Sequence, residues 1–236
     1  SPYRPTSFRS SPARRSTSRP APDLKVEATP AKVKRGEYLA KHLNACLSCH
    51  TPHSEAHLPI PGQEGAGGRK FAREDGLPGN LYATNLTPDP ETGLGTWSDG
   101  EIARAVREGV SKDGHALFPL MPYPNYAQMP DEDVEAIIAY LRQLKPIKSQ
   151  PPARELDFPL NMIVNTIPKP LAGPVGPAPA EGVARGKHVL TQASCNECHT
   201  PMTKGQPDME RYLAGGHTFK ADGKAFVMPN LTSDPE

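Results

Sequence analysis

Apolar residues recur at helical spacing in three short stretches within the first part of the chain. The stretches cover about residues 34–46, 98–109 and 131–145, and each places its apolar side chains on one face. The second stretch begins with Ser98 and Glu101, whose S-x-x-E spacing is typical of a helix capping box. Long loops separate the three stretches. The pattern therefore predicts an all-α fold built from short helices.

The composition of the chain changes at two places, which we interpret as the limits of folded domains. Residues 1–30 contain arginines among serines, prolines and threonines, with no acidic residue before Asp23, and we expect a disordered basic tail there. Residues 147–182 are dominated by proline, which favours a stiff, extended linker. These limits leave one domain at residues 31–146 and a second at residues 183–236.

The second domain repeats motifs of the first. Residues 46–52 have the sequence Cys-Leu-Ser-Cys-His-Thr-Pro, and residues 195–201 have the sequence Cys-Asn-Glu-Cys-His-Thr-Pro. A later run, residues 85–91, returns at residues 230–236 with one substitution. Repetition at this level indicates a duplicated module, so we predict two tandem domains of one fold. The second copy is shorter than the first, and we expect it to be incomplete.

The repeated Cys-x-x-Cys-His motif carries the candidate chemistry. At the end of a helix, its two thiols lie about one turn apart and can add to the two vinyl groups of one haem, while the adjacent histidine is directed at the iron. All four cysteines of the chain belong to these two motifs. We therefore predict two covalently bound haem c groups, attached at Cys46, Cys49 and His50 and at Cys195, Cys198 and His199.

Structural zinc and thiol redox chemistry are the alternatives for paired cysteines. Zinc ribbons bring their two Cys-x-x-Cys pairs within about 20 residues of each other, whereas Cys49 and Cys195 lie in separate repeats. A thioredoxin-like site requires a strand before the motif and a βαβ frame around it, and the pattern indicates neither. Haem attachment is the better interpretation of both motifs.

An electron-transferring haem usually has a second axial ligand, and methionine raises its reduction potential. Met121 is the candidate for the first haem, because it lies in a proline-stiffened loop between the second and third predicted helices. The alternatives are that Met129 serves instead, or that Met121 only fills apolar space. The second repeat has no equivalent methionine, and we regard its other candidates as bystanders: Met202, Met209, Met228, His188 and His217.

Composition narrows the possible functions further. Hydrophobic residues make up 36% of the chain and prolines number 29, so the polypeptide alone offers a thin core that a haem would help to fill. The formal net charge of +1 gives no indication of nucleic-acid binding. No apolar run reaches the roughly 18 residues that span a bilayer. Membrane association would therefore require a partner or an anchor outside this sequence, which begins with Ser1 rather than Met.

These motifs resemble those of dihaem cytochromes c with tandem class I domains, similar to the c-type subunits of bacterial membrane dehydrogenases. The resemblance rests on both Cys-x-x-Cys-His motifs, on residues 85–93, on the helix start at 97–102 and on Met-Pro-Tyr-Pro-Asn-Tyr at 121–126. It implies a periplasmic or periplasm-facing, often membrane-attached electron carrier. It also implies His50 and Met121 as iron ligands, and His199 with a second ligand that the sequence does not reveal.

We expect the chain to carry single electrons between redox proteins and not to be an enzyme by itself. Its expected partners are a dehydrogenase, a quinol-oxidising complex or a terminal oxidase. One alternative is the electron-accepting subunit of a membrane dehydrogenase complex. The other is a dihaem enzyme of the peroxidase or thiosulfate dehydrogenase type, which the missing distal ligand after His199 leaves open.

Overall fold

Short helices dominate the computed structural model, which describes residues 20–203, 206–221 and 224–233. A π-helical turn at Leu39–Leu43 continues the first helix. In chain order, the α-helices of the described residues are α1 Pro30–Tyr38, α2 Cys46–His50, α3 Asp99–Glu108, α4 Tyr123–Tyr126, α5 Asp131–Leu141, α6 Leu160–Ile163, α7 Gly182–Gln192 and α8 Cys195–His199. Short 3₁₀ turns cover Arg73–Asp75, Val164–Thr166 and Met209–Arg211.

Short antiparallel strands accompany the helices, so the predicted all-α fold needs correction. A three-stranded sheet has the order β1-β2-β3, and two separate hairpins lie in the second repeat. The strands are β1 Lys70–Phe71, β2 Gly79–Tyr82, β3 Glu155–Leu156, β4 Met202–Thr203, β5 Gln206–Pro207, β6 Thr218–Ala221 and β7 Lys224–Val227. Strands of two to four residues are too short to show a clear alternating pattern in the sequence.

The core of the first repeat is built around the crossing of α1 and α5. Leu39, Ile137 and Ile138 are almost completely buried there. The backbones approach so closely that a Cβ atom placed on Gly36 would lie 1.8 Å from the carbonyl oxygen of Ala136. Only glycine fits at this contact. The crossing brings the N-terminal helix of the repeat, which leads to the first cysteine motif, against its last long helix.

Local capping sets the start of two helices. The Ser98 hydroxyl accepts a hydrogen bond from the Glu101 amide at 3.1 Å, and the Glu101 carboxylate accepts one from the Ser98 amide at 2.8 Å. This confirms the predicted capping box. The Thr29 hydroxyl accepts from the Lys32 amide at 3.3 Å, so α1 begins earlier than the predicted start near residue 34. The missed signal was Thr29 followed by Pro30, a favoured pair for a cap and a first helical position.

The expectation of a disordered tail is wrong for the part of it that the structure describes before α1. Residues 20–29 have no regular secondary structure, but Leu24 and Val26 pack against the core of the first repeat. The Val26 amide donates to the Asp99 carboxylate at 2.9 Å. Apolar residues in this stretch thus find a surface that composition alone does not reveal. Residues 1–19 lie outside the described part of the chain.

The proline-rich segment also lies along the first repeat. The Ile147 carbonyl accepts a hydrogen bond from Asn85 Nδ2 at 2.7 Å, and β3 pairs with β2. Further along, the Asp131 amide donates to the Val175 carbonyl at 3.1 Å. The segment is not extended throughout, because α6 and the 3₁₀ turn at Val164–Thr166 lie within it, and contacts with the first repeat hold it in place. Within the described residues, no helix is long and apolar enough to cross a membrane.

Candidate haem-attachment sites

The first cysteine motif occupies α2, which starts after a sharp change in chain direction. Ala45 has a left-handed backbone conformation with φ +48°, and its carbonyl accepts the Ser48 amide at 3.0 Å. Cys46 and Cys49 are free thiols one helical turn apart. Burial raises the pKa of the Cys46 thiol to about 12, so this group is protonated near neutral pH. The helix therefore presents two thiols from one side of a single turn.

His50 closes α2 and is held by one hydrogen bond. Its Nδ1 atom lies 2.7 Å from the carbonyl oxygen of Thr84, which can only accept. Nδ1 therefore carries the hydrogen and Nε2 keeps its lone pair, the form in which histidine binds a metal. Burial lowers the pKa of His50, although the bond to Thr84 acts in the opposite direction. The ring is thus fixed in orientation and tautomer.

A glycine loop fixes the backbone beside this histidine. The Gly67 amide donates to the His50 carbonyl at 2.8 Å. Gly67 has φ +77°, and a Cβ atom there would lie 2.7 Å from the Ala83 carbonyl oxygen. The Thr51 hydroxyl accepts the Gly65 amide at 3.3 Å. The loop at residues 65–68 and the chain that follows β2 therefore form a clamp on the end of α2.

The second motif is held in the same way. Ser194, immediately before α8, has φ +57° and matches the left-handed Ala45. His199 Nδ1 lies 2.9 Å from the Pro229 carbonyl oxygen, so its Nε2 is also left as the metal-binding nitrogen. The Gly215 amide donates to the His199 carbonyl at 2.8 Å. Both attachment motifs therefore have one backbone geometry and one histidine tautomer.

Further hydrogen bonds extend this match beyond the motifs. The Thr200 hydroxyl accepts the Leu213 amide at 3.2 Å, as Thr51 does in the first repeat. In both runs that begin Asn-Leu-Thr, the asparagine side-chain oxygen accepts the threonine amide and hydroxyl. The distances are 2.9 and 2.7 Å from Thr87 to Asn85, and 2.7 and 2.7 Å from Thr232 to Asn230. These turns place Thr84 and Pro229, whose carbonyls orient the two histidines.

The alternative chemistries for the cysteines find no support. No three His, Cys, Asp or Glu side chains among the described residues are grouped as a metal site. The two cysteine pairs therefore do not form a shared zinc site in the part of the chain that is described. Each motif follows a helix rather than a strand, unlike a thioredoxin-like site. Free thiols one turn apart beside an oriented neutral imidazole fit covalently attached haem c.

The predicted distal ligand lies in the loop between α3 and α4. Met121 is half-buried, and its carbonyl accepts the Tyr123 amide at 2.7 Å. Met129, the alternative, is 1% exposed and packed in the apolar core. Met121 is therefore the better placed of the two for a ligand role, which stays a prediction. In the second repeat, Met202 and Met209 are exposed, and no described contact makes either a ligand.

Sequence reasoning missed the glycines and the carbonyls that orient the histidines. The glycines left a signal, since residues 66–68 and 214–216 both have the sequence Ala-Gly-Gly. Thr84 and Pro229, whose carbonyls orient the histidines, left no signal in the sequence, because any residue supplies a carbonyl. Their position could be found only by placing them relative to the repeated Asn-Leu-Thr run that follows each of them.

Comparison with known proteins gives the same assignment. The family model described as cytochrome c matches residues 33–145. The chain is 33% identical over 222 residues to the cytochrome c subunit of alcohol dehydrogenase (quinone) of Gluconobacter oxydans (strain 621H), covering 89% of this chain and 44% of that protein. It is 34% identical to the gluconate 2-dehydrogenase cytochrome c subunit of Pantoea cypripedii, covering 88% and 48%.

A further relative is matched over more of its own length. The diheme cytochrome c-type protein of Cereibacter sphaeroides is 32% identical over 215 residues, which cover 85% of this chain and 67% of that protein. By contrast, the chain spans less than half the length of the two dehydrogenase subunits above. The motifs, their geometry and these relatives agree, and the chain belongs to the cytochrome c family, whose members bind haem c covalently.

Proposed function

We propose that this chain carries single electrons through two covalently bound haem c groups, as the cytochrome component of a dehydrogenase assembly. The observation that carries the proposal is the matched orientation of His50 and His199. Each donates from Nδ1 to a backbone carbonyl, at 2.7 and 2.9 Å. A structural motif without a metal would have no need for the same Nε2 left without its hydrogen in two repeats.

Each haem would be held by its own set of residues. Cys46 and Cys49 would form thioether bonds to the first haem, with His50 and Met121 as its iron ligands. Cys195, Cys198 and His199 would hold the second. When bound, haem supplies reversible one-electron chemistry, and the axial ligands and their surroundings set its potential. The carbonyls of Thr84 and Pro229 strengthen the two histidines as ligands by accepting their Nδ1 hydrogens.

The relatives support a dehydrogenase as the electron donor. Several of them are cytochrome subunits of dehydrogenases for alcohol, gluconate or fructose. We infer that the chain accepts electrons from such a subunit and passes them to a quinol-oxidising complex, a terminal oxidase or another acceptor. It would work on the periplasmic side of a membrane, held there by a partner or an anchor. The chemistry on the substrate would belong to the partner and not to this chain.

Haem counting tests this proposal directly. The haem-loaded protein should contain two haems per chain in a pyridine haemochrome assay. The double variants C46A/C49A and C195A/C198A should each contain one, since each leaves the other motif intact. A count of one in the unaltered protein, with no change in one of the double variants, would contradict the dihaem assignment. Peroxide or thiosulfate turnover by the protein alone would favour a dihaem enzyme instead.

The axial ligand needs a separate measurement. Met121→Leu should abolish the near-infrared absorption band of a methionine–iron bond and lower the reduction potential of the first haem, because leucine offers no sulfur. Met129→Leu is the matched control, since its side chain lies in the apolar core and leucine fills a similar volume. If only the Met129 variant lost the band, Met129 rather than Met121 would be the iron ligand.

A further inference from the structure

The two haem-attachment motifs are joined by a buried polar contact, which we call the polar seam: Asn44, Asn125, Tyr126 and Gln192. These four residues are between 2% and 8% exposed. Asn44 Nδ2 donates to the Gln192 carbonyl at 3.1 Å and to its side-chain oxygen at 3.3 Å. Gln192 Nε2 donates to the Asn125 carbonyl at 3.3 Å. Amides from both repeats thus pair away from water, while the Asn44 side-chain oxygen stays without a hydrogen-bond partner among the described residues.

Tyr126 is the central member of the polar seam. Its hydroxyl donates to the Asn44 carbonyl at 2.9 Å, and Nδ2 of the adjacent Asn125 donates to the Ser194 hydroxyl at 3.3 Å. Asn44 stands two residues before Cys46, and Ser194 stands immediately before Cys195. Two adjacent residues of one short segment therefore contact the chain just ahead of each attachment helix.

Asn125 extends the seam into the second motif itself. Its Nδ2 atom donates to the Ser194 hydroxyl at 3.3 Å and to the Glu197 carboxylate at 3.0 Å. Glu197 lies between Cys195 and Cys198 on α8. The contact therefore holds the turn that bears the second pair of thiols. A carboxylate acceptor makes this bond stronger than one between neutral groups.

The seam also connects to the predicted distal ligand. Asn125 and Tyr126 belong to α4, which begins two residues after Met121. A single short segment thus follows the ligand loop of the first repeat and contacts both attachment helices. Movement of α4 would change the separation of the motifs. The buried hydrogen bonds resist such movement, because breaking them leaves polar groups without water.

We propose that Tyr126 is a positioning residue that fixes the spacing of the two haem-attachment motifs and thereby the rate of electron exchange between the two haems. The inference rests on the proposed dihaem function. The exchange moves one electron, so that one centre is oxidised as the other is reduced, and no bond or proton changes place. Because electron transfer through protein falls off exponentially with distance, a small widening of the seam slows it measurably.

The test uses the haem-loaded protein and its Tyr126→Phe variant. Phenylalanine keeps the ring and removes the hydroxyl that holds the Asn44 carbonyl. We expect two haems per chain, electron exchange slowed by about fivefold after rapid photoreduction, and a broader iron–iron distance distribution in pulsed EPR, as for the loss of a buried hydrogen bond. Tyr38→Phe is the matched control, because Tyr38 is 50% exposed and outside the seam.

A second set of variants tests the seam if Tyr126→Phe binds fewer haems. N125D places a carboxylate against Glu197 and should slow exchange by repulsion, and N125D/E197Q should restore it by removing the second charge. An unchanged exchange rate and distance distribution in both Tyr126→Phe and N125D would overturn the positioning role. That result would leave two haems per chain and so the proposed function intact. A haem count below two in the unaltered protein would instead overturn the proposed function.

Discussion

The two repeats hold their cysteine motifs in the same way, but the helices that lead into those motifs have different surroundings. In the first repeat, α1 packs so closely on α5 that Gly36 has no room for a side chain. In the second repeat, a Cβ atom on the corresponding Gly186 of α7 would meet nothing within 4 Å among the described residues. The same Arg-Gly pair is therefore a tight contact in one repeat and an exposed surface in the other.

This difference distinguishes interactions within one repeat from interactions with a distant helix. The clamp around each histidine uses hydrogen bonds within one repeat, from the motif to the Ala-Gly-Gly loop and the Asn-Leu-Thr run. It forms in both repeats. The packing of the leading helix depends instead on a distant partner helix. Haem attachment is thus a local property of each repeat, whereas stability of the leading helix is not.

The largest expected difference in stability is between variants of Gly36 and Gly186. Gly36→Ala should destabilise the protein by about 3 kcal/mol, because its methyl group would overlap the Ala136 carbonyl and force α1 from α5. Gly186→Ala should be neutral or stabilise α7 by up to about 1 kcal/mol, since alanine favours an exposed helix interior. Urea unfolding of the haem-loaded variants measures both. Equal losses in the two variants would show that the leading helices are packed alike.

A smaller loss of stability, equal in the two repeats, is expected when the glycines beside the two haem-binding histidines are replaced. Gly67→Ala and Gly215→Ala should each cost about 2 kcal/mol, because each adds a Cβ atom within 2.7 Å of a backbone atom at positive φ. Each should also shift the reduction potential of its own haem by moving the carbonyl that orients the histidine.

The neighbouring glycines provide the control for the clamp variants. Gly68 and Gly216 have φ +88° and +80°, yet a Cβ atom on either would meet nothing within 4 Å in the described structure. Gly68→Ala and Gly216→Ala should therefore cost only the backbone strain of about 1 kcal/mol and leave the potentials unchanged. If all four variants behaved alike, backbone strain rather than close contact would explain the loss of stability in the Gly67 and Gly215 variants.

The smallest effect is a pH dependence of stability that comes from His188, since the first repeat has no histidine at the equivalent position. Counting from the Arg-Gly pair, His188 stands where the first repeat has Tyr38. Burial, followed by the nearby Arg185, lowers the pKa of His188, and Arg35 acts in the same direction while Asp133 opposes it. The folded state therefore binds a proton at His188 more weakly than the unfolded state does. Its contribution to stability is complete above the unfolded pKa and declines as the pH falls below it.

His188→Gln isolates this contribution. The loss of stability between about pH 8 and about pH 5 should be smaller in the variant than in the unaltered protein, by less than about 0.5 kcal/mol, because solvent screens a partly exposed ring. Urea unfolding at both values gives the difference. A larger loss in the variant would mean that the charged form of His188 stabilises the fold.

The parts of the fold that were predictable from sequence are those with local causes. The cap at Ser98 and Glu101 was predicted because both partners lie within one helical turn. The break before α2 was not, because nothing in Ala45 favours a left-handed conformation. β3 and the ordered stretch at residues 20–29 depend on surfaces supplied by distant parts of the chain, so composition gave the wrong expectation for them.

In the candidate sites, too, only features with local causes could be predicted from sequence. Both cysteine motifs could be recognised, since spacing alone places two thiols and a histidine on one helical turn. The polar seam could not be recognised, because Tyr126 contacts a residue 82 positions before it and Asn125 contacts one 69 positions after it. Asn125 and Tyr126 end the Met-Pro-Tyr-Pro-Asn-Tyr run that supports the resemblance, but that run does not indicate what they contact. Their role depends on how one repeat docks on the other, which a pattern within either repeat does not contain.

The π-helical turn at Leu39–Leu43 bears on how the duplicated halves diverged. Gly36 stands ten residues before Cys46, whereas Gly186 stands nine before Cys195, so one repeat has gained or lost a residue. In a regular α-helix, that change would rotate one glycine by about 100° relative to its cysteines. The Asn44 amide instead bonds to the Leu39 carbonyl five residues back, and the wider turn takes up the extra residue. A difference of one residue between the repeats is thus accommodated inside a helix while the haem-attachment motif keeps its place.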